Sequence, residues 1–184
     1  MPTIDTTWEE QPIDITQEAN FIWSIANKIR AAYMPDKYGD VIIPMTIIRR
    51  FECALDPTKD KVLKQYQEMP EFPAIAFYKI TGYQFYNTSK FDLKELCNDP
   101  DNIAENFKSY LAGFSQDVQE ILKQLDMDGQ IDKMNDNDCL YSVVKAFSEL
   151  DLSVEHFDSI KMGYIFENLI GRFYQNVDAG QFYT

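Results

Sequence analysis

Few stretches of this sequence combine residue types and spacings that could do chemistry. The most acidic is Asp126-Met127-Asp128-Gly129-Gln130-Ile131-Asp132. Set against a calcium loop with Gly129 at the sixth position, it places Gln124 first and Asn135 twelfth, where that loop needs an Asp and a bidentate Glu. With both ligands missing, the stretch reads as a polar turn between helices, and no metal is expected. The single histidine, His156, lacks the nucleophile and orienting carboxylate of a triad and reads as a surface or capping residue. Cys53, Cys97 and Cys139 are odd in number and far apart, which suits reduced, buried thiols and excludes a conventional zinc site. Arg49 and Arg50 form an adjacent basic pair. A solvated face is the plainer reading of that pair, and a phosphate or an acidic partner the functional one. Finally, Ala179-Gly180-Gln181-Phe182-Tyr183-Thr184 sets a Gly among small and aromatic residues, a backbone turn that can lie close to a ligand. From the residues alone, a linker after a helix is the favoured reading.

Composition narrows the classes further. The 184 residues are 45% hydrophobic and 14% aromatic, enough for one good core, or for one domain and a piece of the next. Lys and Arg number 17 against 30 Asp and Glu, a formal net charge of -13. Such a surface repels phosphate backbones, so strong nucleic-acid binding by this stretch alone is not expected. Neither GxGxxG nor GxxxxGKS/T occurs. No apolar run reaches the about 18 residues of a membrane span, and no signal peptide is evident, so a cytoplasmic protein without membrane contact is expected.

The elements that would position these residues are helices. Residues 1–15 read as a polar N-terminal arm and 16–176 as a helical domain. A first helix, capped by Thr16, runs to Tyr33 and turns Ala19, Ile22, Trp23, Ala26, Ile29 and Tyr33 inward. A second follows Pro44 to Leu55, with Ile47, Ile48, Phe51, Ala54 and Leu55 apolar. A third ends at Glu68, burying Val62, Leu63 and Tyr66. Residues 74–86 suit a short helix and then an extended segment, whose aromatic residues are read as core packing and not as a base-stacking platform. Asn87-Thr88-Ser89 is a turn whose side chains bond their own backbone. Helices over 92–97, 102–113, 115–125 (capped by Ser115), 136–147 and 159–176 complete an all-α bundle of about eight short helices. Ser153 can cap a turn that carries His156.

Five blocks in this order carry a resemblance: Ala19-Asn20-Phe21-Ile22-Trp23, Ile43-Pro44-Met45-Thr46-Ile47-Ile48-Arg49-Arg50, Phe85-Tyr86-Asn87-Thr88-Ser89-Lys90-Phe91, Tyr110-Leu111-Ala112-Gly113-Phe114-Ser115 and Met162-Gly163-Tyr164-Ile165-Phe166-Glu167, followed by the terminal hexapeptide. Together they resemble the N-terminal part of the modification (M) subunit of type I restriction–modification systems, which are adenine-N6 DNA methyltransferases. The resemblance implies a helical domain preceding a Rossmann-like methyltransferase domain, with residues 177–184 opening the latter. It implies that Gln181, Phe182, Tyr183 and Thr184 help bind S-adenosylmethionine. The Asn-Pro-Pro-Phe/Tyr motif that holds the flipped adenine is absent, so no catalytic residue is expected here and this stretch alone should be inactive. The implied partners are the specificity subunit, a second M subunit and the restriction subunit, with double-stranded DNA reached through the assembly. Arg49, Arg50 and Lys90 are the candidates for approaching that DNA. A free-standing helical adaptor with no catalytic role is the alternative.

Overall fold

The computed structural model describes residues 15–169 and 171. These are helical, without a strand, and the all-α expectation holds. The helices are α1 (Thr16–Ser24), α2 (Ala26–Ile29), α3 (Gly39–Leu55), α4 (Lys59–Glu68), α5 (Ala74–Thr81), α6 (Leu93–Leu96), α7 (Ile103–Ala112), α8 (Gln116–Gln124), α9 (Met127–Asp136), α10 (Leu140–Ser148) and α11 (159–169).

The longest, α3, is the axis of the fold. Val41, Met45, Ile48, Glu52 and Leu55 recur at alternating spacings of four and three, and all are buried. That stripe packs on α9 and α10. The helix begins five residues before the expected start, and Pro44 lies in its second turn. Proline removes one backbone bond there. The turn forms nonetheless, because the amides of Val41 and Ile42 both reach Tyr38 O (3.2 and 3.1 Å) and both side chains are fully buried.

The first expected helix is two. Ile25 N and Lys28 N bond three residues back (3.1 and 2.8 Å), a tighter turn that separates α1 from α2. Ile15, not Thr16, occupies the cap position. Ile25 is fully buried, whereas Trp23 is 39% exposed, so the inward face is rotated away from Trp23. Tyr33 closes the segment by donating its hydroxyl to Gln130 Oε1 on α9 (2.7 Å). Tyr66 on α4 is likewise exposed, against the expectation that it points inward.

The largest departure is α9. The acidic stretch expected as a turn forms its first two turns, with Met127, Ile131 and Met134 buried. Asp126 alone makes the corner, at φ 51°. Asp, Gly and Asn favour local alternatives to helix, and burial of one residue every three or four overrides them here. α10 follows the expected face, with Leu140, Val143, Val144 and Phe147 buried. Asp158 immediately precedes α11, and its Oδ1 accepts from Lys161 N (2.9 Å); the helix buries Met162, Ile165 and Leu169. Residues 1–14, Ile170, Phe173 and the hexapeptide with Gln181, Phe182, Tyr183 and Thr184 lie outside the described residues.

Candidate functional site

The polar chemistry of the described residues is concentrated on one face of α3. Glu52 continues the apolar stripe and is 8% exposed. Its Oε1 accepts from Leu93 N (2.7 Å) at the start of α6 and from the Tyr110 hydroxyl (2.9 Å) on α7. Its Oε2 accepts from Arg49 Nη1 one turn back (2.6 Å). One carboxylate thus fastens three helices. Burial pushes the Glu52 carboxyl above its usual range, and outweighs the Arg49, Leu93 and Tyr110 contacts that favour the charged form. Tyr110 is pushed up in turn, first by its own burial and then by the carboxylate beside it.

Arg49 and Arg50 work on the segment that enters α11. Arg49 Nε donates to Leu150 O (2.7 Å). Arg50 Nη1 donates to Leu152 O (2.9 Å) and to Phe157 O. Burial lowers the Arg50 pKa. The solvated-face reading of this pair is therefore corrected: both guanidinium groups are part-buried and spend donors on main-chain carbonyls. An adjacent pair can do this because α3 offers them successive directions while the 150–157 loop wraps its end. Lys90 is exposed, its Nζ 5.3 Å from the Phe91 ring centroid. No bond joins Lys90 to either arginine among the described residues.

The second polar assembly joins two of the sequence blocks. Asn87 pairs with Phe114 in an antiparallel bridge, flanked by Thr88 N to Gly113 O and Ser115 N to Tyr86 O (both 2.9 Å). Asn87 Nδ2 donates to Tyr110 O (3.1 Å), and Ser89 N donates to Asn87 Oδ1 (2.7 Å), the self-bonded turn expected there. Ser115 stands at the start of α8 but makes no side-chain cap bond; its Oγ accepts from Tyr86 N instead (3.3 Å). Gly113 permits the close approach, since a Cβ there would meet Asn87 Oδ1 at 2.6 Å and Ser89 N at 2.8 Å. The aromatic residues of 77–86 pack on one another as expected, Phe77 stacking on Tyr86 and Tyr83 on Phe85.

None of this is arranged for catalysis. Asp151, Ser153 and His156 do meet, but Ser153 Oγ (2.9 Å) and Asp151 Oδ2 (2.6 Å) share the same nitrogen, Nδ1. A triad needs the acid on one ring nitrogen and the nucleophile on the other. His156 is also exposed, and the cluster is a surface turn. Burial raises all three thiols, Cys53, Cys97 and Cys139, which favours their protonated form. All three are free; Cys139 is buried as expected, whereas Cys53 and Cys97 are partly buried against the core. Beside Glu52, Asn87 and Tyr110 lies a cavity of about 20 Å³, room for one water and not for a cofactor. The residues assigned to S-adenosylmethionine, Gln181 to Thr184, are outside the described residues, and nothing in the cavity beside Glu52 fits that molecule.

Glu52 is missing from the candidates that the sequence suggests, although one signal points to it. A glutamate at a core position of a 4–3 stripe must be paired, and its partners can be sought. Its pairing with Tyr110 and Leu93 spans 58 and 41 residues and has no local signal.

Fold and polar core together define an all-helical domain whose buried polar groups fasten its own elements. The family model of the HsdM N-terminal domain matches residues 19–147, more than two thirds of the chain. The chain belongs to that family, the N-terminal domain of the type I restriction–modification M subunit. Four of the five sequence blocks fall inside the matched stretch. No curated protein and no solved structure gives a significant match.

Proposed function

We propose that this domain belongs to an adenine-N6 DNA methyltransferase, and that it supports assembly of the M subunit with its partners and closure around DNA. The family match over residues 19–147 carries the reading. The polar core agrees with it: Glu52, Arg49, Arg50 and Asn87 are committed to holding helices and loops together, as a support domain requires. Methyl transfer from S-adenosylmethionine, with Gln181, Phe182, Tyr183 and Thr184 touching the cofactor, belongs to the parent protein in the cytoplasm. The partners are the specificity subunit, a second M subunit and the restriction subunit.

The test uses the full-length protein with its specificity subunit. Transfer of labelled methyl groups to duplex DNA, with N6-methyladenine identified by mass spectrometry, is expected for the complex. Deletion of residues 19–147 should abolish co-elution of the subunits. A complex that assembles and methylates normally without the domain would overturn the support role. Assembly without any methyl transfer by the intact complex would favour the adaptor.

A further inference from the structure

A groove of about 510 Å³ runs between α4 and α5, which pack side by side. Lys61 and Lys64 line it from α4, one turn apart, and Lys79 faces them from α5. All three are exposed, and none takes part in an ion pair among the described residues, whose pairs are Arg49–Glu52, Lys108–Asp132 and His156–Asp151. Within the groove three ammonium groups face the single carboxylate of Glu68. On a chain of net charge -13 this is a patch held against the field of the whole molecule.

We propose that this groove is where the domain touches the phosphate backbone of duplex DNA. The inference rests on the function proposed above and gives it a surface other than Arg49 and Arg50. Two observations favour DNA over an acidic protein. The three lysines lie along a groove and so can follow a strand. Ile80 is the one apolar side chain lining it, whereas protein docking relies on several desolvated aromatic or aliphatic anchors. The contact positions DNA and carries no base readout.

The experiment uses the full-length protein assembled with its specificity subunit. Binding of a labelled duplex is followed by anisotropy between 50 and 200 mM NaCl for the intact complex and for the K61E/K64E/K79E variant. With three phosphates no longer neutralised, affinity should fall and the slope of log affinity against log salt should flatten by about 2.7. Lys61→Gln, Lys64→Gln and Lys79→Gln together remove the charges without reversing them, and should flatten the slope as much should the glutamate variant fold poorly. Unchanged affinity and slope in an intact complex that methylates DNA would overturn the inference while leaving the proposed function standing. Loss of co-elution with the specificity subunit, with DNA affinity of the full-length protein unchanged, would assign the groove to an acidic protein partner and overturn it too. An intact complex that neither binds nor methylates duplex DNA would overturn the proposed function itself.

Discussion

Glu52 shows how one residue sets the character of this domain. It occupies a core position of α3, yet its two oxygens accept from a backbone amide, a phenol and a guanidinium on three different elements. Removing one partner of such a buried set leaves the others unsatisfied, so the network acts as a unit. Its protonation gives a directional test. Folding raises the Glu52 carboxyl above the 4.5 of an ordinary glutamate, chiefly by burial. Between that value and the raised one, the folded protein holds a proton that the unfolded chain has released. Stability from this group therefore falls as pH rises through the window. Glu52→Gln keeps an oxygen for Leu93 and Tyr110 and cannot ionise. Urea midpoints measured from pH 4 to 8 should decline less steeply for the variant than for the unsubstituted protein; parallel profiles would show that Glu52 is not the group responsible.

Among the elements, the joints between helices matter more than the helices themselves. The bridge of 86–89 against 113–115 depends on Gly113 having no side chain. Gly113→Ala would press a methyl group on Asn87 Oδ1 and the Ser89 backbone. It should destabilise the domain by about 1–3 kcal/mol, read by thermal or urea unfolding, and a neutral outcome would mean that the segment shifts freely. The entry to α11 depends on Arg50, which holds Leu152 O and Phe157 O together. Arg50→Met keeps the stem and removes the donors. Amide exchange should quicken at Phe157 and Met162 and stay unchanged at Thr88 and Ser115, with uniform quickening arguing for global destabilisation instead. These joints explain what the sequence can reveal. Faces with clean three- and four-residue spacing, such as Leu140 to Phe147 and Ile103 to Leu111, are readable because the pattern is local. α9 is hidden, since Asp128, Gly129 and Asn135 mask a stripe of only three apolar residues. Pro44 looks like a helix start because proline costs a bond inside one, and only burial of Val41 and Ile42 offsets that cost. The roles of Arg49 and Arg50 rest on carbonyls about a hundred residues away, which no spacing encodes.

For the whole molecule the governing quantity is charge. A net -13 on 184 residues makes the compact state repel itself, and few cations are placed to offset it. Among the described residues the exposed lysine–carboxylate pair is Lys108–Asp132, whose neighbours include further acids, and the Arg49–Glu52 pair is buried, where salt screens it little. Screening therefore acts mainly on repulsion. Raising NaCl from about 20 to about 500 mM shrinks the screening length several-fold, and the melting temperature of the protein should rise. A flat or falling temperature would mean that the acids are locally compensated. The same change in salt acts with opposite sign on the Lys61, Lys64 and Lys79 groove, because counterions compete there for phosphate. Folding strengthened by salt, together with DNA binding weakened by it, is the combination that follows from a basic groove on an acidic domain. Measured on one complex in one buffer series, the two slopes separate the groove from the general field: the K61E/K64E/K79E variant should flatten the binding slope and leave the rise in melting temperature in place.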